Sequence, residues 1–237
     1  MEKIDIENII HNTETACKLC EQDFDYESII NILKTGNDNE KQICILKLDR
    51  LTNQQDANLL IKHLTNHHGI VREAVAIALN DLVLEKKQTQ YIQTEEILNT
   101  LVNAVNDVNP NICRLIIDIL PAINNKEYFL SKLYDRTLMT IKEADELNVR
   151  CRTHMYTKKI FNLYWCMEAI SAIINQTSER LEKIIEQTSL SEEYTIREKT
   201  AKIICSVSNP TKKINRISEL LINDENFYVR LQMSKLL

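Results

Sequence analysis

The chain has 237 residues, of which 2 are Gly and 3 are Pro, while 44% are hydrophobic. This small number of turn-forming residues excludes a β-rich fold, and the sequence therefore indicates an all-α protein. The formal net charge of −5 comes from residues 1–36, which hold eight acids and three bases. A uniformly acidic balance would argue against wholesale nucleic-acid binding, whereas this uneven balance leaves local basic surfaces open.

The segment 70–84 has the clearest helical pattern, because its apolar residues recur at spacings of three and four and share one side of a helix. Taking Val71 as a reference residue, an aliphatic residue follows eight positions later and a residue with a side-chain oxygen lies five positions earlier. The same frame recurs, and its oxygen-bearing, reference and aliphatic residues are Asp38, Ile43, Leu51; Asn66, Val71, Leu79; Asp107, Ile112, Leu120; Ser191, Ile196, Ile204; and Asp224, Val229, Leu237. We expect each oxygen to cap the helix that follows it.

An Arg follows the reference residue directly in three frames, at Arg72, Arg197 and Arg230, and one position later in a fourth, at Arg114. With the sequence NPxICRxxxxxL at 109–120, these V/I-R pairs resemble the second helices of HEAT repeats over nearly the whole chain. The resemblance implies an α-solenoid, with second helices lining a concave face and an Asp/Arg ladder joining neighbours. Asp107 and Asp224 keep the acid of that ladder, whereas Asn66 and Ser191 depart from it.

On this basis we expect a single α-solenoid domain of about six helical hairpins, preceded by a capping helix at about 4–20. The predicted repeats span 25–51, 53–84, 93–123, 125–175, 177–206 and 210–237. Helix signals agree with these bounds: Gly36 ends one helix, and Pro110 lies in a first turn that tolerates it. The fourth repeat is the longest, and insertions in such folds often lie on the binding face.

The fourth repeat also holds the most polarised segment, 147–167, which combines basic and aromatic residues. Its candidate binding residues are Arg150, Arg152, His154, Tyr156, Lys158, Lys159, Tyr164 and Trp165. One interpretation is a surface for phosphates, bases or an acidic peptide. The other is that Phe161, Tyr164 and Trp165 fill a wide inter-helix core while the basic residues stay solvated.

The arginines Arg72, Arg114, Arg197 and Arg230 also have two interpretations. They could form a charged row along the groove, or each could tie its helix to an adjacent loop. We favour a structural role for this row of arginines over a ligand-binding role, because the spacing of the arginines follows the repeat itself and needs no ligand to explain it.

Seven cysteines raise the question of a metal or redox site, and Cys17 and Cys20 form a CxxC with His11 ahead of it. Zinc sites commonly use two close ligand pairs, and no second Cys pair exists, so Cys44 would have to complete the set from another helix. We therefore expect no metal and no cofactor. We also expect His67 and His68, in the turn before the helix at 70–84, to be solvated rather than a ligand pair.

We find no catalytic constellation in the sequence, so we expect a non-catalytic scaffold that binds a protein or peptide in its concave groove. Nucleic-acid binding through the fourth repeat stays open as an alternative, as does a bilin-lyase-like HEAT protein. No apolar run reaches the about 18 residues of a membrane span and no signal peptide opens the chain, so we expect a cytoplasmic protein. Because Leu236 and Leu237 end the chain on an apolar stripe, we expect a homodimer partner to cover the last helix, or a longer native protein.

Overall fold

The computed structural model describes residues 14–15, 17–148 and 154–236, and the regular secondary structure of these residues is helical. The predicted capping helix falls mostly outside them, although 17–20 are helical. Arg150, Cys151 and Arg152 of the predicted basic segment also lie outside the described residues, as does Leu237.

The helices after residue 25 follow one another as hairpins, which we label α1 to α12. Their bounds are α1 Tyr26–Thr35, α2 Asp38–Leu46, α3 Gln54–Lys62, α4 Gly69–Asn80, α5 Glu95–Ala104, α6 Pro110–Ile119, α7 Lys126–Asn148, α8 His154–Ile173, α9 Glu179–Ser189, α10 Tyr194–Ser206, α11 Lys212–Ile222 and α12 Phe227–Met233. Short 3₁₀ turns occupy His63–Thr65, Thr89–Ile92, Leu120–Ala122 and Ser234–Leu236. The even-numbered helices are therefore the second helices of the hairpins. The longest pair, α7 and α8, accounts for the length of the fourth repeat.

Side-chain oxygens at many helix starts satisfy backbone N–H groups that have no partner within the helix. Such N-caps are Asp25, Asn37, Asn53, Asn109, Ser178, Thr211 and Asn226. Asn37 forms a complete capping box with Glu40, because each side chain accepts from the other residue's backbone N–H.

The prediction that the oxygen five residues before the reference residue caps the helix is wrong for all five frames. Asp38 is the first residue of α2, after the N-cap Asn37, and α6 has its N-cap at Asn109, two residues after Asp107. In the other three frames the N-caps likewise lie two residues later, at His68, Glu193 and Asn226. The predicted residues instead accept from the backbone N–H of those N-caps: Asn66 at 2.8 Å, Ser191 at 3.3 Å and Asp224 at 2.8 Å. They close a turn just before each helix, as Asx and Ser/Thr turns do.

Two helices also differ from their predicted ends. The helix of 70–84 is α-helical to Asn80 and continues as a π-helix, Asp81–Glu85, before Lys87 at φ 59°. The helix expected to reach Leu51 ends at Leu46, although Leu48 and Leu51 are buried. The apolar spacing that predicted a longer helix thus reflects buried residues of the following loop.

The described helices form two compact units. The N-terminal unit contains α1 to α6, and the C-terminal unit contains α7 to α12 together with Val105–Asp107. Within each unit the second helices pack on one another more closely than the first helices do. The HEAT resemblance implies that these second helices line a concave side.

Each unit has an aliphatic core of its own between its helix layers. Leu79 and Ile112 are buried in the core of the N-terminal unit. Leu181 and Ile204 are buried in the core of the C-terminal unit. Among the described residues, no helix combines the length and the apolar character that crossing a membrane requires.

Candidate binding surface

Aromatic residues collect on the second helices of the C-terminal unit. Those that are not buried are Phe161, Tyr164 and Trp165 on α8, Tyr194 on α10, and Phe227 and Tyr228 on α12. The second helices of the N-terminal unit, α2, α4 and α6, contain no aromatic residue within their bounds. We call these six residues the aromatic surface. Because α8 packs on α10 and α10 on α12, three consecutive helices carry it.

The α8 part of the aromatic surface is half-buried and held by edge-on ring contacts. The Trp165 ring lies 5.3 Å from that of Tyr164, at an interplanar angle of 85°, and 6.1 Å from that of Phe161, at 72°. Edge-to-face contacts of this kind fix the ring orientations. The Trp165 indole nitrogen is buried without a hydrogen-bond acceptor among the described residues. This part is therefore rigid and only partly open to solvent.

The α10 and α12 part is more open. Tyr194, Phe227 and Tyr228 are 41%, 60% and 57% exposed. The rings of Tyr194 and Tyr228 stack with centroids 6.2 Å apart, and Phe227 meets Tyr228 edge-on at 5.6 Å. Exposed aromatic groups of this size are unusual on a soluble surface unless something binds them.

Charged residues beside Tyr164 are already paired. Glu168 of α8 forms ion pairs with Lys202 and, at 3.2 Å, with Lys199, both on α10. The Lys199 ammonium also lies 4.8 Å from the Tyr164 ring centroid, a cation–π contact. Burial alone would raise the pKa of Glu168 and lower that of Lys199. The hydrogen bond from Lys202 and the charge of Lys199 outweigh burial and lower the pKa of Glu168, and the charge of Glu168 outweighs burial and raises the pKa of Lys199.

The residues predicted for the fourth repeat are distributed differently. Within the described part, His154 and Lys158 are exposed in the first turns of α8, whereas Tyr156 is buried. Lys159 forms an ion pair with Glu143 of α7. Tyr164 and Trp165 lie further along α8 in the aromatic surface. The structure therefore separates the aromatic residues from the exposed cationic end.

Three of the four repeated arginines make the same contact. The Nη1 groups of Arg72, Arg197 and Arg230 each donate to two carbonyl oxygens of the turn before their own helix, at distances from 2.6 to 3.2 Å. These oxygens belong to the residues five and six positions before the arginine. Arg114, one position later in its frame, is exposed and makes no such bond. We call the shared arrangement the turn–arginine motif.

Arg197 also reaches from one repeat into the next with a bidentate ion pair. Its Nε and Nη2 donate to the two carboxylate oxygens of Asp224 at 2.7 and 3.0 Å. The Arg197 and Asp224 side chains are 10% and 7% exposed. Burial alone would raise the pKa of Asp224, but the hydrogen bonds from Arg197 and the Asn226 N–H lower it. The pair therefore clamps the last two repeats together.

Several residues of the candidate site were missed from the sequence. Tyr194 and Phe227 occupy the same place in their frames, two positions before the reference residue, and this coincidence could have identified them. Glu168, Lys199 and Lys202 gave no such signal, because their pairing depends on how α8 packs against α10.

A cluster of metal-ligand side chains lies in the N-terminal unit. Asp38, His67 and His68 have ligand atoms that all lie within 4.8 Å of one another. Asp38 comes from the first repeat and the two histidines from the turn before α4. The histidines, which we expected to be solvated, are exposed but directed at this carboxylate.

Comparison with known proteins finds similarity in structure alone. No protein-family model and no curated protein sequence matches the chain. An engineered protein of known crystal structure aligns with a TM-score of 0.52 and 12% identity, over 90% of this chain and 97% of its own. Importin beta, crystallised in an ammonium sulfate condition, aligns with a TM-score of 0.55 and 8% identity, over 87% of this chain and 29% of its own.

Computationally designed armadillo repeat proteins for modular peptide recognition are also similar. The alignment has a TM-score of 0.51 and 13% identity, and it covers 89% of this chain and 98% of the designed chain. At such identities the likeness concerns the fold alone, and it agrees with the HEAT resemblance in the sequence. The chain is a HEAT/armadillo-like helical-repeat solenoid.

Proposed function

We propose that the protein is a non-catalytic binding scaffold that holds a segment of a partner protein across the aromatic surface of its C-terminal unit. The observation that carries this proposal is the collection of six aromatic side chains that are not buried on three consecutive second helices, with no aromatic residue on the second helices of the N-terminal unit. Aromatic side chains on second helices, which the HEAT resemblance places on a concave side, would suit a peptide groove in a helical-repeat protein.

The chemistry of the aromatic surface favours a protein segment over nucleic acid. Aromatic side chains anchor protein interfaces because each buries a large area at little cost in conformational entropy. A nucleic-acid backbone would need cations that are not already neutralised. Here Lys199 and Lys202 share Glu168, and Lys159 is paired with Glu143.

The structural comparisons support the same proposal. The similar designed armadillo proteins were made for modular peptide recognition on the same class of helical stack. The TM-score of 0.51 shows only that the two chains share a fold. The aromatic residues of this chain therefore carry the functional argument.

Selection of peptides tests the proposal. A random peptide library displayed on phage is panned against the full chain, and the dissociation constants of selected peptides are measured by Trp165 fluorescence and by calorimetry. The test variant is Tyr194→Ser/Phe227→Ser/Tyr228→Ser, whose targets are exposed. We expect at least a tenfold loss of affinity, because truncating an interface aromatic removes well over 1 kcal/mol.

The matched control is Leu46→Ser/Ile77→Ser, which removes exposed apolar side chains from second helices of the N-terminal unit. We expect the control to bind selected peptides as the wild type does. Equal affinity of the aromatic variant and the wild type would reject the aromatic surface as the site. If no peptide is selected, and a single-stranded oligonucleotide binds in a salt-dependent manner instead, the protein-segment proposal is wrong.

A further inference from the structure

Asp38, His67 and His68 meet where the first two repeats join. The Nε2 atom of His68 lies 3.3 Å from Asp38 Oδ2, and the Nε2 atom of His67 lies 3.8 Å from the same oxygen. The two imidazole centroids are 4.3 Å apart. Two nitrogen donors and one carboxylate oxygen thus face a single point.

We propose that this cluster binds a divalent transition-metal ion of the Zn²⁺ class, with Asp38, His67 and His68 as ligands and water in the fourth position. Three protein ligands and an open position are typical of zinc sites that are not purely structural. Imidazole nitrogen suits zinc and its neighbours, whereas Ca²⁺ and Mg²⁺ prefer oxygen ligands alone. The donor set therefore selects the class of ion.

The distances suit tetrahedral coordination. Ligand atoms about 2.0 to 2.1 Å from a tetrahedral ion lie about 3.4 Å from one another. The His68 to Asp38 separation of 3.3 Å is already at this value, that of His67 to Asp38 is 0.4 Å longer, and the ligand atoms of all three residues lie within 4.8 Å of one another. Because both histidine side chains are exposed, small rotations of their rings close the remaining gap.

Surrounding hydrogen bonds hold the ligands in place. Asn66 Nδ2 donates to Asp38 Oδ1 at 3.2 Å, which leaves Oδ2 directed at the histidines. Asn66 Oδ1 also accepts from the His68 N–H at 2.8 Å. Arg72 donates to the carbonyl oxygens of Asn66 and His67, at 2.8 and 3.1 Å. This outer layer fixes the backbone that carries both histidines, as ordered metal sites require.

A simple ion pair with Asp38 accounts less well for the geometry. One protonated histidine would satisfy the carboxylate, and two imidazolium rings 4.3 Å apart would repel each other. Two neutral imidazoles and one carboxylate form a set of three ligands that a divalent ion can join. The ion would link the first turn of α2 to the turn before α4, much as Arg197 and Asp224 link the last two repeats.

Zn²⁺ titration of the full chain by calorimetry tests the site. Cys17, Cys20 and Cys151 are first replaced by Ser, because the first two thiols are exposed and the third lies outside the described residues. In this background we expect one Zn²⁺ per chain, with no competition from excess Mg²⁺. We expect His67→Gln/His68→Gln to weaken binding at least 100-fold, and Asp38→Asn at least tenfold. Asn66→Ala should weaken it about 10-fold to 100-fold, as for other outer-layer residues.

The control is His154→Gln, which removes an exposed histidine from the C-terminal unit and should leave the affinity unchanged. Circular dichroism verifies that every variant is folded. Asp38→Asn keeps the size of the side chain, so its loss of affinity cannot be assigned to a collapsed turn. The proposal is overturned if the background without Cys17, Cys20 and Cys151 binds no Zn²⁺, or if its affinity is the same with and without His67 and His68.

Discussion

At the scale of single residues, Arg197 and Arg230 occupy equivalent positions but have different surroundings. Both donate to two carbonyl oxygens of the preceding turn. Arg197 additionally holds the buried carboxylate of Asp224, whereas Arg230 forms no ion pair with a described residue. The pair therefore separates the effect of the turn–arginine motif from that of the ion pair between repeats.

We expect Arg197→Met to lower the free energy of unfolding by about 2 to 3 kcal/mol, because it leaves the Asp224 carboxylate buried without its partner. Arg230→Met should cost about 1 kcal/mol, since only hydrogen bonds near the surface are lost. Urea unfolding followed by Trp165 fluorescence measures both variants. Equal losses would show that the ion pair adds nothing to the motif.

At the scale of helices, the two glycines of the chain differ in the space around them. A Cβ atom at Gly36, after α1, would lie 2.8 Å from the Ile32 carbonyl oxygen and 2.9 Å from its Cγ2. The φ of Gly36 is −67°, so the constraint is this close approach and not the backbone angle. At Gly69, the first residue of α4, the nearest neighbouring atom is Arg72 Nη2 at 3.8 Å.

Alanine at these two positions should therefore have opposite effects. We expect Gly36→Ala to lower the free energy of unfolding by about 1 to 3 kcal/mol, because the backbone oxygen cannot give way. Gly69→Ala should raise it by about 0.5 to 1 kcal/mol, since Ala favours the helix and restricts the unfolded chain. Urea unfolding followed by circular dichroism compares them. Destabilisation by both changes would contradict the assignment of Gly69 to an open first turn.

The helices also show which structural features could be predicted from the sequence and which could not. Spacing along one chain segment predicted the helix that contains Val71 and its apolar face, because periodicity is a local property. It placed the oxygen of Asn66 at the helix N-cap, whereas that oxygen closes the turn before it. A spacing that repeats along the chain indicates that a hydrogen bond to the side-chain oxygen recurs. It does not show which backbone N–H group donates that bond.

The candidate sites were harder to predict, because their contacts join different helices. Lys159 and Glu143 are 16 residues apart on α8 and α7, and Tyr194 and Tyr228 are on α10 and α12. Asp38 is separated from His67 and His68 by a whole hairpin. Such pairs depend on the register between packed helices, which no spacing within one helix determines.

At the scale of the whole molecule, each of the two compact units has its own core, and the only tryptophan lies in the C-terminal unit. Trp165 fluorescence therefore reports the unfolding of one unit, whereas circular dichroism reports both. Repeat proteins bury each repeat mainly against its neighbours, so local destabilisation need not spread through the chain.

We expect Leu181→Ala, in the core of the C-terminal unit, to shift the fluorescence midpoint in urea by the equivalent of about 2 to 5 kcal/mol. The matched change Leu79→Ala, in the N-terminal unit, should lower the circular-dichroism midpoint and shift the fluorescence midpoint less. If each change shifts both signals equally, the two units unfold as one cooperative body.

The contacts of Arg197 have a consequence for how such a chain can grow by duplication of a gene segment. Its bonds to Ser191 and Glu192 lie within one hairpin, so a duplicated hairpin would carry them along. Its bonds to Asp224 need an acid at one position of the hairpin that follows. A copy inserted at this junction would have to supply that acid or leave the arginine charge buried and unmatched. Selection on the final two hairpins therefore acts on their order as well as on their composition.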